Sequence, residues 1–248
     1  MNPRAQLALP VRLRDHASFA SFEPGEDAGL VAQLASQAVT PRGAQPCWLW
    51  GCPGSGRSHL LQAICAAAGA SGHAATYLPL AELEQLGPGV LEGHERSAVV
   101  CLDDLDQVVA QRAWAMAVFG LYNTVRELGG WLVFVTGSAP SALVTALADL
   151  DSRLAAAAVH RVHALGEENL LRALEARAHR LGLQLPEDTA RWLMRRMPRD
   201  ATSLFAVLDL LDQAALEAQR RLSVPFVREV LATLPRDGSP PSGAPLQT

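Results

Sequence analysis

The 248-residue sequence contains no lysine, and all 21 of its basic side chains are arginine. With 25 acidic side chains, the formal net charge is -4 at pH 7. This slight acidity argues against a protein that coats nucleic acid by neutralising its phosphates. Because arginine is the basic residue throughout the chain, an arginine at one position is no evidence of a local preference over lysine.

Long apolar runs and metal-binding cysteine pairs are also missing. No apolar run reaches the roughly 18 residues of a membrane span, and Arg4, Pro10, Arg12 and Arg14 interrupt the N-terminus where a signal peptide needs an unbroken apolar stretch. The four cysteines include no Cys-x-x-Cys pair and have no histidine at metal-ligand spacing. We therefore expect a cytoplasmic protein with reduced thiols and no membrane segment.

Short apolar strands alternate with helices over the first two thirds of the chain. The apolar spacing predicts strands at 47–50, 76–80, 98–102 and 131–136, and helices at 29–39, 58–68 and 112–128. Strands that are apolar on both faces and alternate with helices are typical of a parallel sheet covered on both sides. The sequence thus predicts an α/β domain with three layers.

A glycine-rich loop follows the first of these strands. Residues 51–58 fit the phosphate-loop pattern G-x-x-x-x-G-K-[ST] at every fixed position except one, where Arg57 replaces lysine. Glycines let backbone N–H groups turn inward around an anion, and the following helix N-terminus adds partial positive charge. We interpret Gly51, Gly54, Ser55, Gly56, Arg57 and Ser58 as nucleotide-binding residues, with Ser58 also holding Mg²⁺. A glycine-rich turn without a ligand is the alternative.

Two carboxylates follow the strand at 98–102. Asp103 and Asp104 lie at its carboxyl end, where ligands bind in open α/β sheets. We assign Asp103 to the Mg²⁺ shell and Asp104 to the orientation of an attacking water. Acidic residues in this place also start ordinary turns, which is the alternative for the pair taken alone.

Beyond Val162 the pattern changes to helices alone, at 167–181, 187–196, 200–221 and 225–234. We therefore divide the chain into four parts. These are a mobile N-terminal arm (1–16), an α/β nucleotide-binding domain (17–164), a helical domain (165–234) and a disordered tail (235–248) rich in proline, glycine and serine.

Four segments together resemble one family. They are Gly54–Leu61 in the phosphate loop, Ser18–Phe22 with its Phe-x-x-Phe spacing, Leu150–Leu154 and the ending Leu222–Leu231. The segments are similar to those of the Hda family, DnaA-related members of the AAA+ ATPases, over residues 5–234. The resemblance implies an AAA+ phosphate-loop domain with a small all-α lid. It adds His59 to the nucleotide-binding residues, with ADP or ATP and Mg²⁺ as cofactors.

The two ends of the chain bear on its partners. Gln6, Leu7, Leu9, Pro10 and Val11 resemble the motif by which this family binds the sliding clamp, the beta subunit of DNA polymerase III. A chance match of this six-residue segment (6–11), or a role in local packing, is the alternative. After residue 234 the sequence has no room for the helix-turn-helix domain of DnaA, so we expect no sequence-specific DNA binding.

The family resemblance also implies a function. It predicts a negative regulator of replication initiation that, with DNA-loaded clamp, stimulates hydrolysis of the ATP bound to DnaA. Arg153, in the segment similar to the arginine-finger box, is then the finger that acts in trans, and autonomous turnover is expected to be small. The resemblance allows a homodimer and places the protein in the cytoplasm, at the nucleoid through the clamp. A surface ion pair is the alternative for Arg153.

Two positions depart from the family pattern. Ser138 stands in the sensor-1 region, which begins at Thr136, where the family usually has Asp. Thr202 stands at the sensor-2 position, where many relatives have Arg, and neighbouring Arg199 could take its place. Both changes predict weaker contacts to a nucleotide.

Two further functions remain open from the sequence. An autonomous AAA+ ATPase of the helicase-loader or remodeller type would use Asp103 and Asp104 on its own ATP. A nucleotide-free adaptor would have kept only the fold and the clamp-binding peptide.

Overall fold

The computed structural model describes residues 17–198 and 200–233. The chain divides into two compact units between Gly166 and Glu167, two residues beyond the boundary that the sequence predicts. The first unit contains the sheet with its flanking helices, and the second is built from helices.

The sheet of the first unit has five strands, all paired in parallel, in the order β2-β3-β4-β1-β5. The strands are β1 (Cys47–Trp50), β2 (Ala75–Pro79), β3 (Val99–Asp103), β4 (Trp131–Thr136) and β5 (Ala158–Arg161). This order brings the carboxyl ends of β3, β4 and β1 side by side. The predicted α/β fold with a parallel sheet is confirmed.

The described residues of the same unit form five α-helices. They are α1 (Ala28–Val39), α2 (Arg57–Ala70), α3 (Leu80–Leu83), α4 (Arg112–Glu127) and α5 (Ala148–Ala155). Successive strand residues point to opposite faces, so Trp48 packs on the α4 side of the sheet and Leu49 on the α2 side. Two separate apolar clusters result, and burying one large side chain in them contributes about 1.5–3 kcal/mol.

Helix α5 and strand β5 do not appear among the elements that the sequence predicts. Strand β5 is an edge strand that pairs with β1 alone and alternates between half-buried and exposed residues. Its sequence lacks the apolar run that identifies the central strands. Helix α5 has only eight residues, of which Leu150 and Leu154 are buried, so its periodicity is too short to be recognised.

The second unit contains α6 (Glu167–Arg180), α7 (Glu187–Arg196), α8 (Ala201–Ala218) and α9 (Val224–Thr233). The side chain of Asp200 accepts a hydrogen bond from Ser203 N at 2.8 Å and caps α8. Helix α8 ends before the predicted residue 221 because Gln219 adopts a left-handed conformation. Within the described ranges, no helix is long and apolar enough to span a membrane.

Candidate functional site

The phosphate-loop sequence lies between β1 and α2, as the pattern requires. Gly54 and Gly56 have φ angles of 78° and 94°, a region that residues with a side chain rarely adopt. A Cβ on Gly51 would lie 2.4 Å from Val162 O, so glycine is needed there for close packing. The glycines therefore serve the backbone path of the loop.

The loop presents hydrogen-bond donors that have no partner in the described part of the chain. The hydroxyl of Ser55 is buried without a partner, and the N–H groups of Gly54 and Gly56 make no hydrogen bond there. Ser58 is exposed in the first turn of α2, where the helix N-terminus favours an anion. These residues fit a nucleotide phosphate, and Ser58 would be the side chain that ligates Mg²⁺.

Arg57 reaches from the loop to the neighbouring strand β4. Its Nη1 donates a hydrogen bond to the carbonyl of Thr136. The Thr136 hydroxyl accepts from Trp48 Nε1 at 2.8 Å and lies 2.8 Å from the carbonyl of Ser138. The structure thus joins Arg57 to the predicted sensor-1 region, whereas the Ser138 side chain itself is exposed.

The two carboxylates after β3 have different environments. Asp103 is buried, and its oxygens accept hydrogen bonds from Tyr77 OH at 2.8 Å and from Asp104 N at 3.1 Å. Asp104 is half-buried with a φ of 52°. Burial, and next the charge of Asp103, raise the pKa of Asp104, while Arg57 opposes the rise. Arg57 is therefore the cation that faces this acidic strand end.

Asp106 is a residue of this cluster that the sequence analysis missed. Its Oδ2 accepts a hydrogen bond from Gly137 N at 3.2 Å, directly after β4. Its Oδ1 is buried and has no partner among the described residues. The only available signal was its place in the acidic run that begins at Asp103.

His59 contacts the segment that precedes α1. Its Nε2 lies 3.0 Å from Ser18 O and 3.2 Å from Ser21 Oγ, and its ring stacks at a tilt on Phe22 with centroids 5.4 Å apart. The Phe22 ring also lies against Gly56, where a Cβ would approach Cε2 to 2.6 Å. The Phe-x-x-Phe segment therefore packs on the phosphate loop through these contacts.

Arg153 is exposed on α5. It borders a pocket of about 430 Å³, and the other lining residues, Tyr122, Asn123, Arg126 and Glu127, all come from α4. Burial raises the pKa of Tyr122, while the charges of Arg126 and Arg153 oppose the rise. Among the described residues Arg153 has no ion pair, so its guanidinium is available to a partner.

The remaining predicted site residues lie elsewhere. Thr202 is exposed in the first turn of α8, in the second unit. Arg199 and the predicted clamp-binding residues Gln6, Leu7, Leu9, Pro10 and Val11 fall outside the described residues.

Cys47, Cys65 and Cys101 are buried free thiols, and Cys52 is exposed. The described part contains no cluster of His, Cys, Asp or Glu that could hold a metal ion.

A comparison with protein families matches the second unit. The family model described as "Hda, lid domain" matches residues 167–231, from the start of α6 into α9.

Solved structures share the fold of the chain. Domain III of the replication initiation protein DnaA from Thermotoga maritima has a TM-score of 0.76 at 17% identity, with 90% of this chain and 98% of that chain covered. AMPPCP-bound DnaA from Aquifex aeolicus has a TM-score of 0.68 at 18% identity, with 84% and 68% covered. The RuvB Holliday junction branch migration motor from Thermotoga maritima has a TM-score of 0.59 at 13% identity, with 85% and 68% covered. At these identities the similarity shows the AAA+ fold alone.

Proposed function

We propose that the chain, whose residues 167–231 match the model of the Hda lid domain and whose fold is similar to that of DnaA domain III, is a negative regulator of replication initiation. With the DNA-loaded sliding clamp, it stimulates hydrolysis of the ATP bound to DnaA, which leaves inactive ADP-bound DnaA. The observation that carries the proposal is an exposed Arg153 with no ion pair among the described residues, in a chain whose lid matches the Hda lid domain.

Arg153 is the group that would act on DnaA. Negative charge develops on the γ-phosphate oxygens during hydrolysis, and an arginine supplied by a neighbouring subunit can raise the rate about 10³- to 10⁵-fold. The short helix α5 holds Arg153 at the surface, and the adjoining pocket of about 430 Å³ offers space beside the guanidinium. Arg126, which lines the same pocket, donates to Ala44 O at 2.7 Å, so it is already engaged.

The chain's own nucleotide has a structural role in this proposal, with ADP as the expected form. Gly54, Ser55, Gly56 and Ser58 would hold the phosphates and Mg²⁺, and Mg²⁺ would neutralise phosphate charge. Arg57 stands where the phosphate-loop pattern has lysine, and its wide planar guanidinium replaces the compact ammonium that reaches between the β and γ phosphates. We therefore expect little autonomous ATP hydrolysis.

The N-terminal arm would provide the dependence on the clamp. A short peptide that binds the clamp raises the local concentration of the protein beside DnaA without adding any contact to DnaA. Gln6 would supply an amide for hydrogen bonds and Leu9 an apolar anchor.

The proposal is tested by single-turnover hydrolysis of labelled ATP prebound to DnaA. We expect acceleration when the protein and DNA-loaded clamp are both present, and no acceleration when either is left out. If the protein binds the clamp and hydrolysis is unchanged, the proposed function is wrong.

An autonomous ATPase of the loader or remodeller type is the second candidate, because the chain has a phosphate loop that fits the pattern except at Arg57 and has Asp103 and Asp104 after β3. Turnover by the purified protein above about 1 per second, within the usual range of enzymes, would favour it over the trans-acting role. A nucleotide-free adaptor is the third candidate. Calorimetry with millimolar ADP separates the adaptor from both other candidates, because it alone predicts no binding.

A further inference from the structure

Asp106 and Arg57 both form hydrogen bonds to the turn that follows β4. Asp106 Oδ2 accepts from Gly137 N at 3.2 Å, and Arg57 donates to the carbonyl of the preceding residue, Thr136. A Cβ on Gly137 would lie 3.3 Å from Asp106 Oδ2 and 3.7 Å from Arg57 Nη1. The turn after β4 is thus fastened both to the phosphate loop and to the segment after β3.

The segment that carries Asp106 is also bonded to the approach to α5. Asp106 lies in a single 3₁₀ turn (Leu105–Gln107), and Val109 O, three residues further on, accepts from Ala146 N at 2.9 Å. Next to Ala146, Thr145 Oγ1 lies 2.7 Å from Asp151 Oδ1 and accepts from Leu147 N at 3.2 Å. These bonds fix the first turn of the helix that carries Arg153.

From this continuous set of contacts we propose that Asp106 is a positioning residue, which transmits occupancy of the phosphate loop to the helix that carries Arg153. This inference rests on the proposed function for the role of Arg153 itself. It assigns Asp106 no contact with the reacting atoms.

Arg57 connects the nucleotide site to these contacts, because it belongs to the phosphate loop and bonds to Thr136 O. A guanidinium pairs with a phosphate through charge-assisted and often bidentate hydrogen bonds, so an anion in the loop competes with Thr136 O for Arg57. When Arg57 turns to the loop, Asp106 remains as the side chain that holds the turn at Gly137. Its second oxygen, buried and without a partner in the described part of the chain, leaves a position for a new bond.

The test is amide hydrogen exchange of the full-length protein with and without ADP and Mg²⁺. In the wild type we expect ADP to slow exchange both in the phosphate loop (51–58) and in the segment that leads into α5 (145–155). In Asp106→Ala we expect the first effect to remain and the second to be lost. We expect the ADP affinity to stay within about threefold of wild type.

Three matched variants define the role of the carboxylate. Asp106→Asn keeps an oxygen acceptor for Gly137 N, so we expect it to restore the response at 145–155. Gln107→Ala changes an exposed neighbour in the same 3₁₀ turn and should behave as wild type. Thr145→Val removes the bond to Asp151 at the far end and should lose the response at 145–155 alone. If Asp106→Ala does not fold, the exchange experiment compares the wild type with Thr145→Val and Asp106→Asn instead.

The same variants are then compared as activators of DnaA-bound ATP hydrolysis. Misplacement of a catalytic group by about 1 Å can lower a rate about 100-fold, and we expect Asp106→Ala to lower the stimulated rate at saturating ADP by about 10- to 100-fold. If ADP slows amide exchange at 145–155 in the wild type but the wild type does not stimulate ATP hydrolysis on DnaA, the proposed function is wrong, whereas the proposed role of Asp106 stands. The proposed role of Asp106 is wrong if ADP slows exchange at 145–155 equally in Asp106→Ala and wild type, or if ADP has no effect there in the wild type. This holds even if the protein stimulates hydrolysis on DnaA.

Discussion

Asp104 combines two unfavourable features in one residue. Its φ of 52° lies in the left-handed region, which costs a residue with a side chain about 1 kcal/mol, although Asp and Asn tolerate it best. Its carboxylate is half-buried beside Asp103, which raises its pKa above the ordinary value of 3.8. A strained backbone and a raised pKa at the same residue are typical of functional sites.

Asp104→Asn keeps the backbone conformation and removes the charge. Because the pKa of Asp104 is raised in the folded state, that state binds the proton more tightly than the unfolded chain. Ionised Asp104 therefore lowers stability at about pH 7, and this effect disappears below the ordinary pKa, where the group is protonated in both states. We expect Asp104→Asn to raise the free energy of unfolding at about pH 7 and to have a much smaller effect at about pH 3.5.

Urea unfolding followed by tryptophan fluorescence at the two pH values measures this difference. Asp149→Asn, a change at an exposed position of α5, is the control for loss of a carboxylate. An equal gain from Asp104→Asn at both pH values would contradict the assigned cause.

The contact between Phe22 and Gly56 joins two elements, the segment before α1 and the phosphate loop. In Gly56→Ala the new Cβ would lie 2.6 Å from Phe22 Cε2, so the ring and the segment must move. Gly72→Ala is a matched control, because Gly72 has a similar φ of 80° and nothing within 4 Å of its Cβ position. Both variants cost about 1 kcal/mol for the left-handed backbone, and Gly56→Ala costs about 1–3 kcal/mol more for the clash.

We further expect Gly56→Ala, and not Gly72→Ala, to weaken ADP binding by about tenfold or more. Urea unfolding and calorimetry measure the two effects. Equal losses in the free energy of unfolding of the two variants would show that the Phe22 ring moves aside at no cost and that its packing on Gly56 does not stabilise the fold.

One guanidinium links α6 to α8 in the helical unit. Arg177 is 18% exposed, and its Nη2 donates to both oxygens of Asp209, at 2.8 and 2.9 Å. Asp209→Ala leaves this charge without its partner, and we expect a loss of about 1–2 kcal/mol. Glu187→Ala removes the exposed partner of Arg191 and should change stability little. The urea midpoint from circular dichroism compares them, and equal midpoints would contradict the role of the Asp209 pair.

Local sequence predicted some of these elements and missed others for physical reasons. Strands β3 and β4 are buried along their whole length, so their apolar runs locate them, and the glycine spacing locates the phosphate loop. The bond from Arg57 to Thr136 depends on β4 lying next to β1 in the sheet, which no local pattern encodes. The role of Asp106 was hidden for the same reason, since its partner Gly137 is 31 residues away.

At the scale of the whole molecule, the proposed function separates recognition from catalysis. Gln6 belongs to the predicted clamp-binding peptide, whereas Arg153 belongs to α5. Since the peptide acts by raising local concentration, Gln6→Ala should increase the clamp concentration needed for half-maximal stimulation, by about tenfold. The rate at saturating clamp should stay near that of wild type. A titration of clamp on DNA measures both quantities, and a fall in the saturating rate alone would contradict the tether.

In the proposed function, Arg153 stabilises the transition state of ATP hydrolysis on DnaA. The most direct test is the single-turnover rate of DnaA-bound ATP hydrolysis over a range of concentrations of wild type and of Arg153→Ala, with DNA-loaded clamp in excess. We expect the maximal rate to fall about 10³-fold or more, while the half-saturating concentration changes by less than about threefold. An unchanged maximal rate with a higher half-saturating concentration would show that Arg153 only docks the two proteins and is not the arginine finger.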